Sequence, residues 1–357
     1  MCMRKGIIVL AVSLVALLTC WTAGAQNVAP QFCDGMVLAK GQPVYVFGEG
    51  DASGIVVSLA GKTAKAKQDG IRWIAKLPAM KAGGPYVMEV RSGSSAKTFS
   101  DVYVGTVIMA SGQSNMQFKL HETNTPAEAY VDDPLLRSFS LPRLEEGDPY
   151  SPADGWVRCT AENAGKWSAI GYLVGREVRE RTGEAVGIVN CYQGASIIQT
   201  WIPEELATKP QYILPAEDLH FDHSYPYYLT WNRPGVLFNH DVAPFAPYGV
   251  SLVMWYQGES NTGKGEAKVY AALAAEMVGA WRKAFRNGKL PFVMVQIADY
   301  KRRNDEAWKA VQQAQMEIPS LVKGVKVVKS SDVCEDNNIH PKSKAALSHR
   351  IVEAAGL

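Results

Sequence analysis

Non-alternating apolar runs recur along the second part of the chain and decide what it can fold into. They lie at 102–104, 107–110, 185–190, 249–256, 291–297 and 325–328. A strand with one wet face alternates polar and apolar residues, whereas a strand covered on both faces does not. Between these runs the apolar residues repeat at helical spacing. This is seen at 170–181, at 306–315, at 342–355, and most clearly at 267–285 through Tyr270, Leu273, Met277, Val278 and Trp281. Strands alternating with helices predict an α/β domain with a parallel sheet and right-handed crossovers. Two segments, 118–165 and 201–241, are rich in Pro, Tyr and His and only weakly periodic. Long irregular connections in such a domain usually shape the substrate site.

The part before this pattern reads differently. Residues 26–101 carry short alternating stretches at 44–46, 55–59, 72–77 and 86–90. Gly-rich turns separate them: Gly48 to Asp51, Gly61-Lys62, Asp69-Gly70 and Gly83-Gly84-Pro85. This spacing predicts a small accessory antiparallel β-sandwich, and nothing in it looks catalytic. The boundary with the α/β domain, 102–357, is expected after Asp101.

The first residues read as an address. Arg4 and Lys5 precede an apolar run at 6–18, and Ala23-Gly24-Ala25 fits a small-x-small cleavage site. A signal peptide at 1–25 and export to the periplasm or the exterior are expected. A lipid anchor on Cys20 is the weaker alternative, because Thr19 replaces the usual small residue before it. No other segment is apolar enough to span a bilayer. The formal net charge is +2 and the basic residues are scattered, which gives no footing for nucleic acid. The chain has six cysteines, of which Cys33, Cys159, Cys191 and Cys334 lie beyond the leader. They stand far apart, without CxxC or His spacing, so buried free thiols are expected rather than a zinc site.

In a parallel sheet, reactive groups gather at the carboxyl ends of the strands. Four segments follow expected strands. In the first, Gly112-Gln113-Ser114-Asn115-Met116, the glycine permits a sharp turn that exposes the Ser114 hydroxyl and aims its own N–H into the site. In the second, Gln193-Gly194, the bare glycine backbone can approach a ligand. The third, Trp255-Tyr256-Gln257-Gly258-Glu259-Ser260-Asn261, crowds polar groups behind a strand. Gln257 can donate to an oxyanion there, while Glu259 and Asn261 can orient neighbours. The fourth, Ile339-His340-Pro341, puts a histidine before the last helix, where a neutral imidazole can take the Ser114 proton. Each segment taken alone has an ordinary structural explanation; their conjunction is what points to serine hydrolysis.

These motifs resemble the sialate O-acetylesterase family of SGNH hydrolases. The resemblance extends to Asp34 to Leu38, to the turn at 81–85 and to 193–201. It implies a three-layer α/β/α domain of flavodoxin-like type behind the β-sandwich, and a metal-free, cofactor-free esterase acting on O-acetylated carbohydrates. The resemblance puts the nucleophile at Ser114, the base at His340, and the oxyanion donors at Ser114, Gly194 and Gln257. Gln113, Asn115, Trp201 and Asn239 are expected near the substrate. One position departs from the pattern. An Asp commonly stands three residues before the catalytic His, and here that residue is Asn337. Asp336, Asp332 or another acid serves instead, or His340 works in a dyad oriented by Asn337 or a carbonyl; Glu259 is a further supporting candidate. The expected substrate is 9-O-acetylated sialic acid, whose carboxylate would suit Arg233 or Lys119. The alternatives are an acetylxylan or other polysaccharide O-deacetylase, and a non-catalytic carbohydrate-binding protein. Nine Trp and fifteen Tyr would suit the last.

Overall fold

The computed structural model describes residues 27–144, 154–220, 230–303 and 305–357. The expected leader at 1–25, with Cys20, lies outside them. The strands in chain order are β1 (Val37–Ala39), β2 (Val44–Glu49), β3 (Ile55–Leu59), β4 (Lys62–Asp69), β5 (Arg72–Leu77), β6 (Gly83–Ser92), β7 (Ser95–Gly112), β8 (Asp133–Ser140), β9 (Val157–Cys159), β10 (Val186–Tyr192), β11 (Leu252–Tyr256), β12 (Phe292–Val295) and β13 (Val325–Val328). The first part is antiparallel: β2 pairs with β5, β5 with β4, β4 with β3, β3 with β6, and β6 with β7. β4 had no apolar signature, because its side chains are exposed or half-buried.

β7 joins the two halves of the molecule. Its first residues pair antiparallel with β6, and its last seven lie parallel to β10. It also passes straight through the expected boundary at residue 101. Asp101 sits there at φ 57, in the left-handed region, so the strand bends as it enters the second sheet. From Val104 to Gly112 every residue of β7 is buried, as a central parallel strand requires.

The second sheet runs β13-β12-β11-β7-β10-β8 with all pairs parallel, and β9 adds antiparallel to β8. β8 and β9 fall inside 118–165, which the sequence pattern left irregular; Arg137 and Ser138 interrupt the apolar run there although both are buried. The main helices are α1 (Ser114–Gln117), α2 (Ala169–Thr182), α3 (Glu266–Ala284), α4 (Glu306–Leu321) and α5 (Ala345–Ala355). Ser168 caps α2 by accepting from Gly171 N at 3.1 Å, and Gly183 ends it at φ 68. Helix α2 packs on α5, and α3 on α4. Trp201, Trp255 and Trp281 interlock in the core with ring centroids 5.8–6.4 Å apart. Cys33, Cys159, Cys191 and Cys334 are all free thiols. No helix among the described residues is long and apolar enough to cross a membrane.

A buried cation helps to tie the two parts of the chain. The Arg137 guanidinium, fully buried, donates to Gly35 O at 2.7 Å and Asp101 O at 2.8 Å, and pairs with Asp101 Oδ2 at 2.9 Å. It also lies 4.6 Å from the Tyr103 ring centroid. Arg137→Ala strands both carbonyls and leaves a void. Urea unfolding should show a loss of about 3 kcal/mol or more. Exposed Arg158, which pairs with the same carboxylate at 2.7 Å, should cost under about 1 kcal/mol when changed to alanine.

Candidate active site

Three adjacent strands end level. Tyr192 of β10, Gly112 of β7 and Tyr256 of β11 stand side by side in register. Gly112 is the tight point. It adopts φ 130, and a Cβ there would lie 2.1 Å from the Tyr256 carbonyl oxygen, so only glycine fits. The ladder then continues for one more rung: Gln113 N donates to Tyr256 O at 2.9 Å, and Gln193 N to Gly112 O at 3.1 Å. Ser114 follows as the first residue of α1. Gly194 backs directly onto it, since a Cβ built there would lie 4.0 Å from Ser114 Cβ and 3.1 Å from Gln117 Oε1.

His340 arrives from farther away. Its loop leaves β13, two strands beyond β11, and returns across the sheet edge before α5. His340 Nε2 stands 2.8 Å from Ser114 Oγ. The Phe118 ring stacks on the imidazole with centroids 5.8 Å apart and planes 25° from parallel. Asn338 Oδ1 accepts from His340 N at 3.0 Å and fixes the local turn. Burial, and after it the Lys344 ammonium, hold the imidazole below its ordinary range, while Glu122 pulls weakly the other way.

Several expected site residues have other work. Gln257 is fully buried, and its Nε2 already faces Gln113 Oε1 at 3.1 Å, Ser196 O at 3.0 Å and Asn261 Oδ1 at 2.8 Å. An amide has two N–H groups, so none remains for an oxyanion, and the expected third donor is corrected to a brace between the first, second and third segments. Gln113 is buried as well. Its Oε1 also accepts from Gly258 N and Ser260 N, at 3.2 and 3.3 Å, so it holds the third segment rather than substrate. Trp201 is completely buried in the tryptophan core and donates to Ser196 Oγ at 3.0 Å, which removes it from any sugar-stacking role. Asn239 is exposed. From the same stretch of chain it is Asn232 that reaches the second segment, accepting from Ile197 N and donating to Ala195 O, both at 2.9 Å. No periodic or motif signal distinguished Asn232 from its neighbours.

Asn115 is also buried rather than presented to substrate. Its Nδ2 donates to Glu259 Oε1 at 2.5 Å and to Ile339 O at 2.9 Å, and its Oδ1 accepts from Lys344 Nζ at 2.7 Å. Glu259 supports the site through this amide and does not touch His340. Lys344 was missed in the sequence, where it reads as one more polar position beside the last helix.

Among the described residues, no carboxylate accepts a hydrogen bond from His340. The Asp336 carboxylate pairs with Lys301 at 2.9 Å on the half-exposed surface. Asp332 pairs with Arg350 at 2.7 Å, Glu335 caps Lys342 N and Ser343 N, and Asn337 is exposed. Among the described residues, three potential metal ligands converge at Glu177, His349 and Glu353, where Arg181 pairs with both carboxylates. That group lies on α2 and α5, whereas the Ser114–His340 pair stands at the strand ends.

A triad Asp is worth up to about ten-thousandfold in rate. Asp336, turned toward Lys301, has no path to that effect. Asp336→Asn should therefore lower kcat/KM on an aryl acetate by less than about tenfold. A loss as large as that of His340→Ala would make Asp336 a member of the triad.

Residues 104–355 match the family described as carbohydrate esterase, sialic acid-specific acetylesterase. The sialate O-acetylesterase of Mus musculus is 25% identical over 384 residues, covering 88% of this chain and 70% of its own length. That of Homo sapiens is 24% identical over 391 residues, covering 96% and 73%. A solved carbohydrate acetylesterase from Xanthomonas citri is 30% identical with a TM-score of 0.79, over 92% of this chain and 74% of that one. With the match spanning most of its length, the chain belongs to the sialic acid-specific acetylesterase family of carbohydrate esterases.

Proposed function

We propose that this chain is a serine esterase that removes O-acetyl groups from carbohydrates, with 9-O-acetylated sialic acid as its substrate. The observation that carries the reading is the 2.8 Å contact between Ser114 Oγ and His340 Nε2 beside the bare backbone of Gly194. The imidazole, held neutral by burial, takes the hydroxyl proton as Ser114 Oγ bonds to the acetyl carbonyl carbon. The N–H groups of Ser114 and Gly194 receive the oxyanion, and each such donor is worth about a hundredfold in rate. The carbonyl re-forms, the C–O bond to the sugar breaks, and His340 returns the proton to the departing hydroxyl. Water then repeats the sequence on the acetyl-serine and releases acetate. His340 works in a dyad.

Two details extend the same reading. The parallel sheet and the two helix pairs, α2 with α5 and α3 with α4, support a three-layer SGNH arrangement, with 26–101 as an accessory β-sandwich. The export signal read at 1–25 would put the activity outside the cytoplasm. Lys119 favours an acidic sugar. It stands just past Phe118, the residue that ends α1, and its Nζ lies 3.2 Å from Tyr192 Oη at the end of β10, whereas Arg233 is simply exposed. The second reading is an acetylated polysaccharide, on which the same serine and histidine could act. A purely binding role is disfavoured, because the nucleophile and base are within hydrogen-bond reach and every tryptophan among the described residues is buried.

Acetate release should be measured on O-acetylated sialic acids, acetylated xylan fragments and an aryl acetate. Ser114→Ala should retain less than about a thousandth of the rate on all three while unfolding at the wild-type temperature; a higher residue of activity would mean another nucleophile. Lys119→Met should raise KM several-fold for the sialic acid ester and leave the aryl acetate unchanged. An equal effect on both would remove the carboxylate reading and favour the polysaccharide.

A further inference from the structure

Lys344 is a buried cation that the acyl-transfer steps do not use. Its side chain is almost wholly enclosed, at 1% exposure, at the N-terminus of α5. The ammonium lies 5.5 Å from the Phe118 ring centroid and 5.2 Å from that of Tyr256. Its hydrogen bond goes to Asn115 Oδ1. The other end of that amide holds Glu259 Oε1 and the carbonyl of Ile339, the residue before His340. The Phe118 ring thus has the catalytic imidazole stacked on it and the ammonium close by. Burying an ammonium is costly. A hydrophobic side chain would fill the same space without that penalty, so its presence beside the base calls for a physical account.

We propose that Lys344 is a positioning residue of the active site: through Asn115 it anchors the loop that carries His340, and it sets a positive charge beside an imidazole that has no acid partner. The inference rests on His340 being the general base. The charge has a definite sign of effect. A cation beside an imidazole disfavours the imidazolium, so His340 stays neutral, and competent to accept the Ser114 proton, to lower pH. The groups that face this pair are few. Around His340 they are Ser114, Lys344 and, weakly opposing, Glu122. Around Lys344 they are Glu259 after β11, and Cys334 and Glu335 on the His340 loop. The Cys334 thiol is pushed up by burial and stays uncharged at neutral pH. Burial pushes Lys344 itself down to about 8, so over the lower pH range in which an imidazole titrates it still carries its proton.

The test is the pH profile of kcat/KM on an aryl acetate, whose acid limb reports the free-enzyme base. In the wild type the limb should fall below the ordinary imidazole value of about 6.5. Lys344→Gln keeps an N–H donor for Asn115 but removes the charge. Its limb should move up by about half a unit or more, a loss of about threefold at the acid end beyond any change in the plateau. Lys344→Arg keeps the charge and should restore the wild-type limb even if its plateau is lower. A merely structural lysine would lower the plateau in both variants and move neither limb, and that result overturns the proposal. If Lys344→Gln does not fold, NMR titrations of His340 in the wild type, Lys344→Arg and Lys344→Met decide: the midpoint should match the wild type with arginine and rise by about half a unit with methionine, and equal midpoints in all three overturn the proposal. Turnover surviving in His340→Ala would defeat the general-base reading itself, whereas a fixed limb with His340→Ala inactive defeats only the role of Lys344.

Discussion

The candidate active site depends on one close approach. At Gly112 the central strand passes so near the Tyr256 carbonyl that a side chain would overlap it, at 2.1 Å. Because the backbones meet there, β10, β7 and β11 end level, and the first, second and third motif segments emerge from neighbouring positions. The serine turn, the bare Gly194 and the polar third segment are then neighbours by construction. No loop has to search for its partner, and the conformational entropy of assembling the site is met by the sheet itself.

Behind that edge lies a buried polar layer. Gln113, Gln257 and Asn261 exchange hydrogen bonds with one another and with the backbone at 196, 198, 258 and 260. Glu266 accepts from Asn261 Nδ2 at 3.1 Å and from Gly263 N at 2.8 Å, and burial pushes its carboxyl up. Such networks hold only when their members are satisfied, and then they specify one arrangement of the loops. The long motif Trp255 to Asn261 is thus largely a scaffold. On the proposed mechanism the chemistry falls to Ser114 and His340, and the amides nearest them orient the chain.

Much of the fold was legible. A strand buried on both faces must be apolar throughout, and a helix on a sheet must repeat its apolar residues every three or four positions; α2 and α3 fall within a residue of the expected ends. What the pattern missed follows from the same rules. β4 is mostly exposed, and β8 carries Arg137 in its buried stretch, so neither shows the apolar signature of its setting. The last helix begins three residues later than its periodicity suggested, because 342–344 are held by Glu335 and Asn115 in the return of the His340 loop.

The sequence by itself determined the α/β class, the approximate places of the strands buried on both faces, and the residue types able to act as nucleophile and base. These are local matters: solvent exposure writes periodicity into a segment, and a turn at a strand end needs glycine. Only the tertiary structure decided which polar residues face the site. Gln113, Asn115 and Gln257 have the same chemistry whether aimed at substrate or at a neighbouring strand, and their partners lie 60 or more residues away for the contacts that settle the matter. The burial of Lys344 beside His340 likewise depends on Phe118 and Tyr256 closing around it. A side chain's role follows from what surrounds it in space, and adjacency along the chain does not carry that information.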